Sequence, residues 1–248
     1  MLDTFEWGEP DGTPVVCLHG VTGHGGRFAR LAGRLPGRRV LGLTYRGHGH
    51  SPWEPPWTVA QHLVDIRETV AAEGIERAVF VGHSFGGLLV TELAAVAPEL
   101  VERAVLLDPA LHIDPEVALE RAELTREDVS FASPDEAIDA RLADGSLYTT
   151  PRELLQEEAD AHLERAPDGR YRWRFCKPAV ITAWSEMARP APPWPSCPTL
   201  LVLGARSWIP LEPPELAHIE TVTAPGGHSV LWDDLEATSG AIAAFTPR

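Results

Sequence analysis

Long apolar runs are missing from this sequence, and none approaches the length that a bilayer-spanning helix needs. Cysteine is scarce too. Cys17, Cys176 and Cys197 are an odd number with no metal-ligand spacing, so reduced thiols are expected rather than a disulfide framework or a metal site. Positive charge is in short supply: 21 Lys and Arg stand against 36 Asp and Glu, a formal net charge of −15. That balance argues against nucleic acid and anionic membrane surfaces as partners. Met1 to Pro10 contain neither a basic region nor an apolar core, so no secretion signal is expected and the setting reads as cytoplasmic. No Walker loop or dinucleotide fingerprint occurs; Gly23-His24-Gly25-Gly26 lacks the G-x-G-x-x-G spacing, and no cofactor or metal is implied.

What is present is an ordinary globular composition, 44% hydrophobic and 23% charged, over 248 residues, enough for one large domain or a core with an insertion. The acid excess sits mainly in 114–164, which holds fifteen acids against four arginines. A solvated face of surface helices is the plain reading of that run, and steering of cationic ligands the alternative. The organising stretch is Ala78 to Gly87. The apolar run Ala78 to Val81 meets Gly82-His83-Ser84-Phe85-Gly86, and a helical pattern follows over Leu88 to Val96. A G-x-S-x-G between strand and helix is the setting of a nucleophile elbow. Its glycines are needed because so tight a turn has no room for side chains two residues either side of the serine.

Around this turn the chain alternates strands and helices. Thr4 to Trp7 reads as a short edge strand, Val15 to Leu18 as a buried strand, 27–35 as a helix and Val40 to Leu43 as the next strand. Thr58 caps a helix with Val59, Leu63, Ile66 and Val70 at helical spacing. Ala104 to Leu107 is a strand ending at Asp108-Pro109, Thr199 to Leu203 and His218 to Val222 are the last strands, and Leu235 to Phe245 is a closing helix. The pattern predicts an α/β fold with a mostly parallel central sheet flanked by helices. Ala110 to Pro195 breaks the alternation. Helices are expected over 115–124, 134–143, 151–165 and 178–188, with a hairpin at 170–175 after Pro167-Asp168-Gly169. This is an expected helical cap, 110–195, inserted after the strand ending at Asp108, on a core made of 1–109 and 196–248.

Four motifs then carry a resemblance. They are Leu18-His19-Gly20, the loop Arg46 to Ser51, the elbow, and Pro225-Gly226-Gly227-His228. Together the chain resembles the α/β-hydrolase superfamily over essentially its whole length, as a capped esterase- or lipase-like member with a serine nucleophile. The resemblance implies acyl transfer: Ser84 as nucleophile, His228 as its base, and the backbone N–H groups of Val21 and Phe85 as oxyanion hole. His19 and His48 read as loop-ordering residues, and His50, His62, His83, His112 and His162 as unremarkable.

One position departs from the family. Where relatives carry the triad acid, just past the second-last strand, this chain reads Gly204-Ala205-Arg206-Ser207-Trp208-Ile209-Pro210. Asp108 and Glu212 both keep the order Ser, acid, His that the fold requires. Asp108 is the first choice, Glu212 the alternative, and a chain without a working acid the third reading. Trp53, Trp57, Trp173, Trp184, Trp194 and Trp208 fall near the expected mouth, with Trp184 and Trp208 the candidate substrate contacts. The leading function is a carboxylesterase-like serine hydrolase acting on a small or medium apolar carboxylic ester through an acyl-enzyme. A ligand-binding receptor on the same fold is the alternative from another class. A cofactor-free acyltransferase, lactonase or carbon–carbon hydrolase would use the same residues.

Overall fold

The computed structural model describes residues 1–143, 147 and 149–247. Nine strands occur in it: β1 (Asp3–Gly8), β2 (Thr13–Leu18), β3 (Arg38–Thr44), β4 (Ala78–His83), β5 (Val101–Leu107), β6 (Leu163–Arg165), β7 (Tyr171–Trp173), β8 (Thr199–Gly204) and β9 (Ile219–Ala224). Seven form one sheet in the order β1-β3-β2-β4-β5-β8-β9, and β6 and β7 form a separate hairpin. Every pair in the large sheet is parallel except β1 on β3. The expected α/β architecture, a mostly parallel sheet flanked by helices, is therefore the observed one.

Side-chain alternation explains why the central strands read as unbroken apolar runs. Val15 to Leu18 are all fully buried. Val16 and Leu18 join Leu41, Phe80, Leu106 and Leu201 in one cluster, while Val15 and Cys17 join Val79, Val105 and Val202 in another on the other face. Successive side chains point to opposite faces, so a strand covered on both sides has no polar position to spare. Helix α1 (Ala29–Ala32) is far shorter than the expected 27–35. It follows a 3₁₀ turn at Gly25–Phe28, and its last turn closes on Gly33, whose N–H bonds to the Ala29 carbonyl. Helix α2 (Val59–Ala72) starts at the expected cap, with Thr58 Oγ1 accepting from the Gln61 N–H. Helix α3 (Phe85–Val96) begins immediately after Ser84.

Between β5 and β8 lie α4 (Pro115–Arg126), α5 (Pro134–Ala143), α6 (Arg152–His162) and α7 (Lys177–Met187). The expected insertion, 110–195, also contains residues 144–146 and 148, which lie outside the described residues. The helix expected over 151–165 ends early. Leu163–Arg165 instead pairs antiparallel with Tyr171–Trp173, so the hairpin takes the last residues of the helical pattern as its first arm. Three charged or half-exposed residues at a helix end gain little from helix packing, and pairing satisfies their backbone groups. The closing helices are α8 (Val230–Asp233) and α9 (Leu235–Phe245), the latter capped by Asp234 accepting from the Ala237 N–H. No helix among the described residues is long and apolar enough to cross a membrane.

Candidate active site

Two non-glycine residues among those described have positive φ, Ser84 (55°) and Asp108 (43°). Both stand at the C-terminal tips of neighbouring strands, β4 and β5. The Ser84 N–H donates to the Leu107 carbonyl at 3.0 Å, and the Ala110 N–H donates to the Ser84 carbonyl at 3.1 Å, so the two strained turns are tied together. Such conformations cost about 1–3 kcal/mol each and persist only where packing over-determines them. The packing here is backbone against backbone. A methyl group on Gly82 would fall on the Gly86 carbonyl, and one on Gly86 would fall on the Leu18 carbonyl.

His228 comes from the loop after β9 and faces Asp108. Its Nδ1 is 2.6 Å from Asp108 Oδ2. The carboxylate is fixed on both oxygens: the Gly204 N–H donates to Oδ1 at 3.0 Å, and the Ser207 hydroxyl donates to Oδ2. Ser207 Oγ in turn accepts from the Ile209 N–H at 3.1 Å. The segment Gly204 to Pro210, which lacks an acid, therefore supplies the hydroxyl that holds one. Glu212 lies exposed further along that loop and does not contact His228. The His228 carbonyl is 3.0 Å from His83 Nε2, and the two rings lie 4.8 Å apart. His83, unremarkable in sequence, anchors the histidine loop.

Ser84, Gly20, Val21 and His228 line one cavity of about 450 Å³. The Val21 carbonyl lies 2.6 Å from His48 Nε2, and the Tyr45 N–H and hydroxyl bond to His19 Nε2 and the His19 carbonyl. These contacts fit the loop-ordering role expected of His19 and His48. Burial pushes His48 down to about 4 and His19 well below its ordinary value, so both imidazoles are neutral near pH 7. The Phe85 side chain turns into the core against Tyr45 and His62, leaving its backbone N–H at the start of α3.

Of the six tryptophans expected near the mouth, Trp173, Trp184 and Trp208 line the cavity. The other three do not. Trp53 and Trp57 donate their indole N–H groups to the Gly49 and Trp53 carbonyls, and Trp194 packs on the core. The Trp208 ring stands edge-on to His228 at 5.4 Å between centroids. It sets an aromatic ring against the imidazole at the cavity wall.

Sequence reasoning missed a buried polar cluster behind the cavity. Glu158 of α6 accepts from Arg27 Nε at 2.9 Å and lies 3.0 Å from His24 Nε2. His24 stacks on His162 at 4.8 Å. Burial alone would raise the Glu158 carboxyl, but the Arg27 charge and the His24 hydrogen bond outweigh it and hold it well below the usual carboxylate range. The partners lie 131 and 134 residues apart in the chain, so no local pattern signals the cluster. Among the described residues no group of His, Cys, Asp and Glu side chains is arranged to hold a metal. Cys17, Cys176 and Cys197 are free thiols.

Comparison with known proteins agrees with this fold. The family described as alpha/beta hydrolase fold matches residues 13–136. Lipase LipV of Mycobacterium tuberculosis is 37% identical over 188 residues, which cover 76% of this chain and 72% of that protein. The sn-1-specific diacylglycerol lipase ABHD11 of Mus musculus is 30% identical over 210 residues, 78% of this chain and 65% of that one. The crystal structure of E-2-(acetamidomethylene)succinate hydrolase superposes with a TM-score of 0.85, covering 98% of this chain and 94% of that one. At 23% identity that likeness speaks for the fold alone.

Proposed function

The chain belongs to the α/β-hydrolase family, and we propose that within it the protein is a serine hydrolase cleaving small or medium carboxylic esters through an acyl-enzyme. The observation that carries the reading is the 2.6 Å contact between Asp108 Oδ2 and His228 Nδ1, beside a serine strained to φ 55° at the tip of the adjoining strand. The names of the two relatives, both lipases, support ester chemistry as well.

In this reading Ser84 Oγ attacks the ester carbonyl carbon while His228 Nε2 takes its proton. Asp108 keeps the hydrogen on Nδ1, so that Nε2 has a free lone pair, and it stabilises the imidazolium that forms. The N–H groups of Val21 and Phe85 bind the oxyanion, the former on a loop held by His48, the latter at a helix start where negative charge is favoured. The proton on Nε2 passes to the leaving alcohol. Water, deprotonated by the same imidazole, then releases the acid and restores Ser84. Trp208, with only an N–H donor, has no part in proton transfer and acts as a wall.

The segment 110–195 is the proposed cap. Its support is the cavity lining, where Leu124, Phe131, Trp173 and Trp184 from that segment face Ser84 and His228 from the core. A cytoplasmic setting is part of the proposal, on the strength of the three free thiols. The receptor reading rested on the missing acid after β8, and with a carboxylate on His228 it loses that support. The test uses a fluorophosphonate probe together with p-nitrophenyl esters of rising chain length. Rapid labelling of Ser84 alone, and turnover abolished in Ser84→Ala, are expected; slow or scattered labelling with no turnover would end the reading.

A further inference from the structure

The cavity wall carries more positive charge than the whole molecule's balance of −15 suggests. Five cationic side chains line it, Arg27, Arg121, Arg141, Arg172 and Lys177, against the single carboxylate of Glu127. Apart from Glu127, the acids of 114–164 do not line the cavity, which is not built for a cation. Four of the five are engaged within the protein. Arg27 holds Glu158, Arg172 holds Asp168, Lys177 holds Asp128, and Arg141 donates to Thr22 Oγ1 while lying over the Trp173 ring.

Arg121, on α4, differs. Its side chain makes no hydrogen bond or ion pair among the described residues, and its Nε is buried without a partner. Its guanidinium lies over the Trp208 ring, 5.9 Å from the centroid, and that ring meets His228 at 5.4 Å. One indole therefore bridges an unpaired cation and the imidazole. A cation–π contact of this length engages the guanidinium without using its hydrogen-bond donors, which leaves the planar fork free for a carboxylate. A buried donor left unpaired is unfavourable, and the surrounding tryptophan, leucine and phenylalanine walls make a charge-assisted bond there stronger than in water.

We propose that Arg121 is an anion subsite and that the substrate is an ester carrying a free carboxylate at a distance from the scissile bond. This deepens the esterase reading and rests on it. The carboxylate docks on Arg121, the apolar stretch between lies on the tryptophan walls, and the ester carbonyl reaches Ser84. Hydrogen bonds to charged groups are worth enough for roughly a 10- to 100-fold preference over a neutral twin.

The experiment compares twins that differ only in that charge. Mono-4-nitrophenyl adipate is set against its methyl-capped diester for a charge on the acyl side, and 4-acetoxybenzoate against its methyl ester for a charge on the alcohol side. Each is corrected for its enzyme-free rate. In the wild type one charged twin is expected to have the higher kcat/KM by roughly 10- to 100-fold, the pair that shows it telling which side carries the carboxylate. Arg121→Met erases the ratio, and Arg121→Lys, which keeps the charge and the helix, retains part of it. A ratio near one in the wild type, or one that survives Arg121→Met, overturns the subsite while leaving the esterase reading intact. Turnover of neither twin, with Ser84 unlabelled, overturns the esterase reading instead. Adipate titrated calorimetrically reads the subsite without turnover: binding weakened at least about tenfold by Arg121→Met supports it, and no binding to the wild type sinks it.

Discussion

Ser84 and Asp108 are held in backbone conformations that side chains rarely adopt, and each is tied to the other's turn through main-chain hydrogen bonds. Strain maintained in this way fixes two side chains relative to one another more tightly than flexible loops would. Ser84→Ala fits the same turn, so the fold should survive while kcat for ester hydrolysis falls by roughly 10⁴ to 10⁶. Asp108→Asn keeps the shape and removes the charge that selects the His228 tautomer; kcat should fall by up to about 10⁴ with little change in KM. Glu212→Gln, by contrast, should leave steady-state kinetics close to wild type. Ser207 acts one step further out, through Asp108. Ser207→Ala removes one of the two donors that hold the carboxylate besides His228, and a kcat loss of roughly 10-fold with KM unchanged is expected, partly restored by Ser207→Thr.

At the scale of elements, two junctions decide whether the site assembles. The first is the elbow, where β4 turns into α3 with no space beside Gly82 or Gly86. Gly82→Ala forces a methyl group onto the Gly86 carbonyl, and overpacking of this kind costs about 1–3 kcal/mol. For a chain of this size thermal denaturation should show a Tm lower by roughly 2–10 °C. The second is the clamp between α6 and the turn at 24–27, where Glu158, nearly fully buried, meets Arg27 and His24. Glu158→Gln leaves the Arg27 charge buried without its counter-ion, and urea unfolding should show a loss of about 3 kcal/mol. Because Thr22 and Val21 precede that turn directly, kcat should drop with it, an outcome that steady-state kinetics at low temperature can separate from unfolding.

The whole molecule buries several histidines in neutral form. Burial holds His19, His83 and His162 well below the ordinary value of 6.5, His48 at about 4 and His62 at about 3. The sign follows from proton uptake. Between pH 6.5 and the lowered values the unfolded chain binds protons at these positions and the folded one does not, so stability falls as pH falls through that window. Each such histidine contributes up to about 1.4 kcal/mol per pH unit. Calorimetric Tm should therefore be flat above about pH 7.5 and decline steeply from pH 6.5 toward 5. A Tm unchanged down to pH 5 would show that these imidazoles are protonated in the folded state or solvated.

Periodicity and local turn chemistry made the core legible in one dimension. Buried strands such as Val15–Leu18 announce themselves by continuous apolarity, Thr58 by the helix it caps, and the elbow by glycines that sterics demand. Each of these is a constraint between residues a few positions apart, and the chain itself imposes it. The carboxylate that meets His228 was not of this kind. Asp108 and Glu212 were both admissible in order along the chain, and only the pairing of β5 with β8 carried the Asp108 carboxylate to the Gly204 N–H, the Ser207 hydroxyl and His228. The helix expected through residue 165 gave way to a hairpin because a partner strand at 171–173 was in reach. Glu158 with Arg27, and Arg121 on the face of Trp208, likewise depend on contacts across 131 and 87 residues. Burial and charge pairing at such separations depend on how the layers pack, so the sequence by itself determined the sheet, the tight turn and the serine placed on it. The tertiary structure decided which acid meets the imidazole and which cations line the cavity.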